Sequence, residues 1–387
     1  MDFNNIKNAY SSKSNSELNR AFLLFKAISN PKISRILTNA VKICLKLRLP
    51  ISPIIKHTVF KHFCGGITID DSQTTIDSLW KHKIGTILDY SAEGKKTEED
   101  FNFVYEETIR AINKASTEKS IPFCVFKFTG LTNFELLEKI SSNVKLTNKE
   151  IKEKENFKSR VEKICECAAE KKVKIFIDAE ESWIQNAIDN TTLDMMRKFN
   201  KEKCLIYNTI QMYRNDRLNY LTEIINISKT EKFLVGLKIV RGAYHEQEIE
   251  RSKKYGYKCP VHQIKKDTDN DFNKALKICV KNSTNVSICA GTHNEESSLI
   301  LTKLMIENGF TKNNEKFFFS QLLGMSDHIS YNLSKDGYNV AKYVPYGPVK
   351  DVIPYLIRRA EENTSIAGQM GRELTNISIE KKRRKNI

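Results

Sequence analysis

A (β/α)8 barrel preceded by a helical N-terminal region is the fold this sequence predicts, and three observations predict it. From about residue 70 the chain alternates short apolar runs with amphipathic stretches, eight times over. The apolar runs are continuous rather than alternating, as in strands covered on both faces of a parallel sheet. Eight such units in roughly 290 residues is the count and size of a closed barrel. An open doubly wound sheet is the competing architecture. It would usually carry a Gly-rich phosphate loop after an early strand, and neither GxGxxG nor GxxxxGK[ST] occurs here.

The elements follow in order. Residues 1–65 read as helical. One helix starts at a Ser14 or Ser16 cap and carries Leu18, Phe22, Phe25 and Ile28 at helical spacing. A second spans about residues 33–47 and is stopped by Pro50. Its apolar residues and lysines segregate moderately; packing onto the main domain is the favoured reading over binding at a membrane surface. The barrel is expected over residues 66–372, with strands at 85–91, 121–130, 173–181, 204–213, 233–244, 286–294, 316–325 and 339–347. Helices are expected at 76–82, 97–115, two within 133–172, then 191–199, 216–228, 269–282, 295–308 and 327–336. The last apolar run ends at Tyr343 and breaks at Pro345, Gly347 and Pro348, and a helix follows from about Lys350. Residues 373–387 form a basic C-terminal tail.

Bulk properties narrow the function classes. The chain has 387 residues and a formal charge of +16. The basic residues are read as mostly Lys, spread along the chain and interleaved with acids, with one dense run at 381–385. That argues against a nucleic-acid partner. Nine cysteines without framework spacing, and no CxxC, suggest free thiols in a reducing compartment. No HExxH or comparable spacing suggests a metal, and no GxSxG suggests an acyl-enzyme. The N-terminus lacks the apolar core of a secretory signal, and Lys42 and Lys46 interrupt the best candidate for a membrane span. A soluble cytoplasmic protein is therefore expected, with peripheral contact at the inner face of a membrane left open.

In a barrel, chemistry collects where strands end at the C-terminal face. Those ends hold Asp89, Lys127, Asp178, Gln211, Arg241 with Gly242 and Tyr244, His293 with Asn294, the QLLGM turn and Tyr343. A polar rim of this kind is what a ligand site requires. Each residue also has a plainer reading. Asp89 and Asp178 would serve as N-caps, His293 as a core histidine, Gly242 as a bulge. Lys127 lies between two phenylalanines and needs a partner if buried; Asp89 on the neighbouring strand is the candidate. On the closing helix Tyr355, Arg358, Arg359 and Glu362 share one face. Two guanidiniums there suit a small carboxylate, against the alternative of a solvated face with an internal ion pair.

The strand-end motifs resemble the proline dehydrogenase family. FIDAEES (176–182), TLDMMRKFN (192–200), YNTIQMYR (207–214), KIVRGAY (238–244), THN (292–294), QLLGMSD (321–327) and KYVPYGPV…YLIRRAEEN (342–363) match in the family's order, over roughly residues 65–370. The resemblance is to the short monofunctional form. It implies a (β/α)8 barrel that holds FAD without a Rossmann loop. It also implies oxidation of L-proline to 1-pyrroline-5-carboxylate by hydride transfer to the flavin, with electrons passed to a membrane quinone. Arg358 and Arg359 would grip the proline carboxylate with Lys127 beside them. Tyr343, Tyr355 and Leu322 would wall the ring, and Ala243 and Tyr244 would line its approach. Asp89 would orient Lys127, and Glu93 would pair with Arg358 to shut the site. Asp178, Gln211, Lys238, Arg241, Gly242, Thr268, Thr292, His293, Asn294 and Glu362 would hold FAD. Many bacterial members carry Arg where this chain has Lys238, which keeps the charge but not the fork. Two alternatives stand beside this reading: a hydroxyproline dehydrogenase, which Tyr343 disfavours on steric grounds, and a non-catalytic basic barrel binding polyanions or membrane.

Overall fold

Eight parallel strands close on themselves in sequence order in the computed structural model: β1 (Ile84–Tyr90), β2 (Phe123–Phe126), β3 (Lys174–Ile177), β4 (Ile206–Gln211), β5 (Val235–Val240), β6 (Val286–Gly291), β7 (Phe317–Leu322) and β8 (Val340–Tyr346). The structure describes residues 2–47, 50–91, 96–365 and 369–386; within its helices the side chains at 31, 42, 45, 46, 360–365, 369 and 370 are not among those described. Ahead of the barrel come α1 (Ile6–Ala9), α2 (Asn15–Ile28), α3 (Pro31–Lys46), α4 (Ser52–Ile55), a π turn (Lys56–Phe60), α5 (Lys61–Phe63) and α6 (Gln73–Trp80). Around it run α7 (Glu98–Thr117), α8 (Phe134–Ser141), α9 (Asn148–Glu170), α10 (Ser182–Phe199), α11 (Arg217–Glu231), α12 (His245–Tyr255), α13 (Lys265–Lys281), α14 (Glu295–Glu307) and α15 (Asp327–Lys335). Helices α16 (Val349–Ser365) and α17 (Gln369–Lys385) follow the last strand.

Strand parity decides what the barrel encloses. Ile87, Phe123, Val125, Phe176, Tyr207, Cys289, Ala341 and Tyr343 fill the interior. Low in the barrel, Phe123 stacks on Phe176 at 4.3 Å, and Tyr207 and Phe318 meet Phe123 edge-on at 5.4 and 4.8 Å. This aromatic plug seals one end, so the space left for a ligand is at the other. Two residues further along the same inward rows stand Asp89, Lys127 and Asp178, and four beyond Tyr207 stands Gln211. A second apolar layer, between strands and helices, forms the larger core.

The N-terminal helices make a separate cluster with the closing helix. Leu18, Ala21, Phe25 and Ile28 of α2 pack with Phe60, Phe63, Val352, Ile353, Tyr355 and Leu356. Ser14 caps α2 in a reciprocal capping box with Glu17. The basic run at 381–385 lies in α17, which packs on α2; Arg384 donates to the backbone oxygens of Tyr10 and Lys13 at 2.8 Å.

Three local features differ from the sequence reading. Strand β2 is short because residues Phe128–Gly130 turn as a 3-10 helix, which lifts Lys127 out of the ladder. Strand β8 runs on through Pro345 to Tyr346, within the strand read at 339–347 but past the break read at Pro345. Pairing with β7 stops at Tyr343, so at Pro345 only β1 is a neighbour, and Pro345 serves as acceptor to Gly65 N. Helix α12 was not anticipated: HEQEIERSKKY is nearly all polar and shows no apolar period.

Candidate active site

One carboxylate joins the groups at the mouth. Asp178 follows β3, and its Oδ1 accepts from the Lys238 ammonium and, at 2.9 Å, from the Tyr343 hydroxyl. Lys238 Nζ also lies 2.5 Å from the Tyr343 oxygen. Asp178 Oδ2 faces Lys127 Nζ at 3.6 Å. Lys127 Nζ is in turn 3.5 Å from Asp89 Oδ1, and Asp89 Oδ2 accepts from Ser91 Oγ at 2.6 Å. Burial alone would push the Asp178 carboxyl up; the Lys238 and Lys127 charges outweigh it and hold the group below the usual range. Burial, then the Asp178 and Asp89 charges, raises the Tyr343 hydroxyl well above its ordinary value, so it remains a phenol. Asp89 and Asp178 cap no helix: the N-caps after β1 and β3 are Thr97 and Glu181.

The ends of β4 to β6 form the other side. Gln211 spans two loops, donating to Glu180 O at 2.7 Å and accepting from Ala243 N at 3.2 Å. Gly242 adopts φ +134°, and a Cβ there would stand 2.4 Å from the Tyr213 ring, so no other residue fits. Gly242 and Ala243 are exposed over the mouth, with Tyr244 half-buried beside them. Arg241 donates to Asp269 Oδ1 and Thr292 Oγ1 at 2.6 Å and to Ser297 Oγ at 2.9 Å, with its guanidinium over Phe272. Thr268 is buried in α13. Asn294 caps α14 through Ser297 N at 2.9 Å. His293 Nδ1 meets Ser326 Oγ at 2.9 Å. Burial, with the Lys342 and Arg359 charges, pushes that imidazole down to about 3, so it is neutral at physiological pH.

Helix α16 reaches both sides. Arg359 is 8% exposed, stacks 5.1 Å from the Tyr355 ring, and its charge acts on His293 after β6. The Arg358 charge acts on Glu181 after β3. Both charges thus reach groups at strand ends, with Arg359 buried and Arg358 half-buried. Leu322 packs at the end of β7 beside the Tyr343 layer. The Glu362 side chain and Glu93, the expected partner of Arg358, lie outside the described residues.

Two further acids went unnoticed in the FIDAEES motif. Glu180 is buried and accepts from Thr129 N at 3.1 Å and from the Thr129 hydroxyl. Burial raises it to about 7, and burial together with Glu180 raises Glu181 to about 8. Side chains that hold protons near neutrality collect at functional sites. Ser326 was also missed; it orients His293 from a turn that only the fold brings close. Among the described residues there is no group of His, Cys, Asp or Glu that could hold a metal ion. All nine cysteines are free thiols.

Comparison with known proteins identifies the family. The family model described as proline dehydrogenase matches residues 72–372. The chain is 35% identical over 97% of its length to proline dehydrogenase 1, mitochondrial, of Dictyostelium discoideum, covering 74% of that protein. It is 33% identical over 80% of each chain to the carbapenem antibiotics biosynthesis protein CarD of Pectobacterium carotovorum. Among solved structures, proline utilization A from Bdellovibrio bacteriovorus inactivated by N-propargylglycine superposes with a TM-score of 0.74 at 18% identity, over 93% of this chain and 38% of that one. The cytoplasmic expectation is overturned. The relatives from Dictyostelium, Drosophila, Caenorhabditis, Arabidopsis and human are all named mitochondrial. The missing apolar core tests for a secretory signal, whereas mitochondrial leaders are basic and amphipathic, so that criterion never separated the two compartments. Among the described residues no helix is long and apolar enough to cross a membrane.

Proposed function

This chain belongs to the proline dehydrogenase family of proline oxidoreductases, and we propose that its barrel mouth oxidises L-proline to 1-pyrroline-5-carboxylate, with FAD as hydride acceptor and a membrane quinone as the next electron acceptor. The observation that carries this reading is the shared carboxylate: Asp178 links Lys127, which follows β2, to Lys238 on β5 across the mouth.

The residues present suit a flavin. Gln211, Lys238, Arg241, Thr292 and His293 set hydrogen-bonding groups on three adjacent strand ends. On the inward row between Tyr207 and Gln211, buried Thr209 Oγ1 has no hydrogen-bond partner among the described residues, and Thr209 is the register neighbour of Lys238. Gln211, Lys238, Arg241, Gly242, Thr268, Thr292, His293, Asn294 and Glu362 would hold the cofactor, which when bound supplies the two-electron acceptor for the C5 hydrogen of proline. Lys238 contributes a positive charge kept in place by Asp178 and Tyr343.

The chain's own residues do the rest. Arg358 and Arg359 bind the proline carboxylate, the substrate's one strong handle, with Lys127 completing the positive field. Asp89 and Asp178 hold the Lys127 ammonium, so that it presents charge without wandering. Tyr343, Tyr355 and Leu322 wall the ring and exclude water. Glu180 and Glu181, which burial holds near neutrality, would accept the proton that leaves as the amine becomes an imine. Glu93 would complete the closed site by pairing with Arg358.

The test is spectroscopic. Purified protein should be yellow, and anaerobic L-proline should bleach its flavin band. Trans-4-hydroxyproline should bleach it far more slowly, because the Tyr343 ring occupies the space a ring hydroxyl needs. A colourless protein, or equal bleaching by both amino acids, would respectively end the flavin reading and the proline preference.

A further inference from the structure

Helix α3 is docked with its apolar sector outward. Its inward side carries Ser34 and Thr38, at 4% and 9% exposure, with Val41 packed beside them. Ile33, Ile36, Leu37, Ile43 and Leu47 remain 43–67% exposed along the opposite sector. Leu23 of α2 extends this strip: a shallow depression of about 920 Å3 between α2 and α3 is lined by Leu23, Lys26, Lys32 and Ile33, among others. Lys32 and Arg35, both exposed, flank the strip along one edge of the helix. An amphipathic helix normally turns its branched residues inward; a contiguous exposed strip marks a surface that something covers.

The charge around it says what. Residues 18–69 hold nine lysines and arginines and no aspartate or glutamate. Elsewhere in the chain, the run at 381–385 apart, acids and bases are interleaved. A branched apolar strip edged by cations, within a stretch free of carboxylates, is complementary to the interfacial zone of an anionic bilayer, where acyl chains lie beneath phosphates. A second copy of the same face would bring two carboxylate-free cationic stretches together. A nucleic acid would leave the apolar strip unused.

We propose that the α2–α3 face seats this protein on anionic lipid as a peripheral, non-spanning contact. Helix α3 also packs against α16, the helix of Arg358 and Arg359, so the seat lies at the back of the element that closes the mouth. The reading of a lipid-soluble quinone as acceptor gives this seat a purpose; the lipid contact itself is tested without it.

The experiment is vesicle co-sedimentation of the full-length protein, without proline. Vesicles of phosphatidylcholine with one third phosphatidylglycerol are compared with phosphatidylcholine alone. At least tenfold tighter partitioning to the anionic vesicles is expected, falling as salt is raised. The double variant Ile36→Glu, Ile43→Glu alters two exposed positions and should lose binding at least tenfold. Its thermal transition and its proline-dependent reduction of a soluble dye should stay as in the parent. Unchanged vesicle binding by the variant would overturn the proposal, and so would equal binding to neutral vesicles. Binding to heparin without binding to vesicles would overturn it too, as would a dimer that the variant splits. Loss of dye reduction in the parent protein with vesicle binding intact would strike the enzymatic reading alone.

Discussion

At the barrel mouth Lys127 and Lys238 each face a carboxylate, and the carboxylate they share is held by a phenol as well. In residues 18–69 nine lysines and arginines occur with no carboxylate in the same stretch. The two regions use the same residue types for opposite ends. Buried charge requires a partner, so at the mouth each cation has a fixed place and can shape a small ligand's geometry. Exposed charge costs little to leave in water, so in the N-terminal helices cations are available to an outside surface. Pairing and burial, rather than the count of cations, separate a binding site from a contact face.

The strongest way to break this contrast is at its centre. Asp178→Ala leaves buried Lys238, and half-buried Lys127 with only Asp89, without their shared counter-charge. It is expected to cost on the order of 3–5 kcal/mol in urea unfolding and to abolish proline-dependent flavin bleaching. A variant as stable as the parent would show that the mouth tolerates unpaired charge as well as the α3 face does. A second test concerns the helix that belongs to both regions. Arg359 is carried by α16, which packs on α3, yet it is nearly buried at the mouth. Arg359→Met should raise KM for proline by roughly 30- to 150-fold, or about 2–3 kcal/mol of binding, with a smaller change in kcat. Unaltered saturation by proline would place Arg359 with the contact face and remove the carboxylate grip.

The sequence carried much of this, unevenly. Strand number and order were legible because parallel strands buried on both faces leave continuous apolar runs, and the helices between them show a 3.6 period. Helix α12 escaped because almost every residue in it is polar. Strand ends shifted where pairing, not local preference, decides them, as at Pro345. In the site, Lys127 and Asp89 were paired from their neighbouring strands, since adjacency in a barrel follows sequence order. The contact of Asp178 with Lys238 was not foreseen: 60 residues separate them, and only strand parity across β3 and β5 brings them together. Glu180 and Glu181 were overlooked because burial, which a motif does not record, is what sets their proton affinity. The charge of residues 18–69 was legible but lost in an average over the whole chain.

The smallest expected effect discriminates the regions by pH. Glu180 has its folded pKa raised from 4.5 to about 7, chiefly by burial. Below pH 4.5 both folded and unfolded states hold its proton, and nothing is lost. Between pH 4.5 and 7 the unfolded chain gives up the proton while the folded protein keeps it, so the stability present at low pH declines and is gone above about 7. Glu180→Gln removes the titration and can still bond Thr129. Its urea stability should therefore fall less than the parent's between pH 5 and pH 8, by on the order of 1–2 kcal/mol. Hydrogen exchange, corrected for intrinsic rate, locates the difference. Amides of residues 178–185 should lose protection across that range in the parent but not in the variant. Those of α2 should respond equally in both proteins: burial would raise its one carboxylate, Glu17, but bonds with Ser14 hold it below the ordinary range, so it stays ionised there. Identical pH slopes for parent and variant would mean that Glu180 is ionised in the folded protein, and the mouth would then lose its claim to a proton acceptor near neutrality.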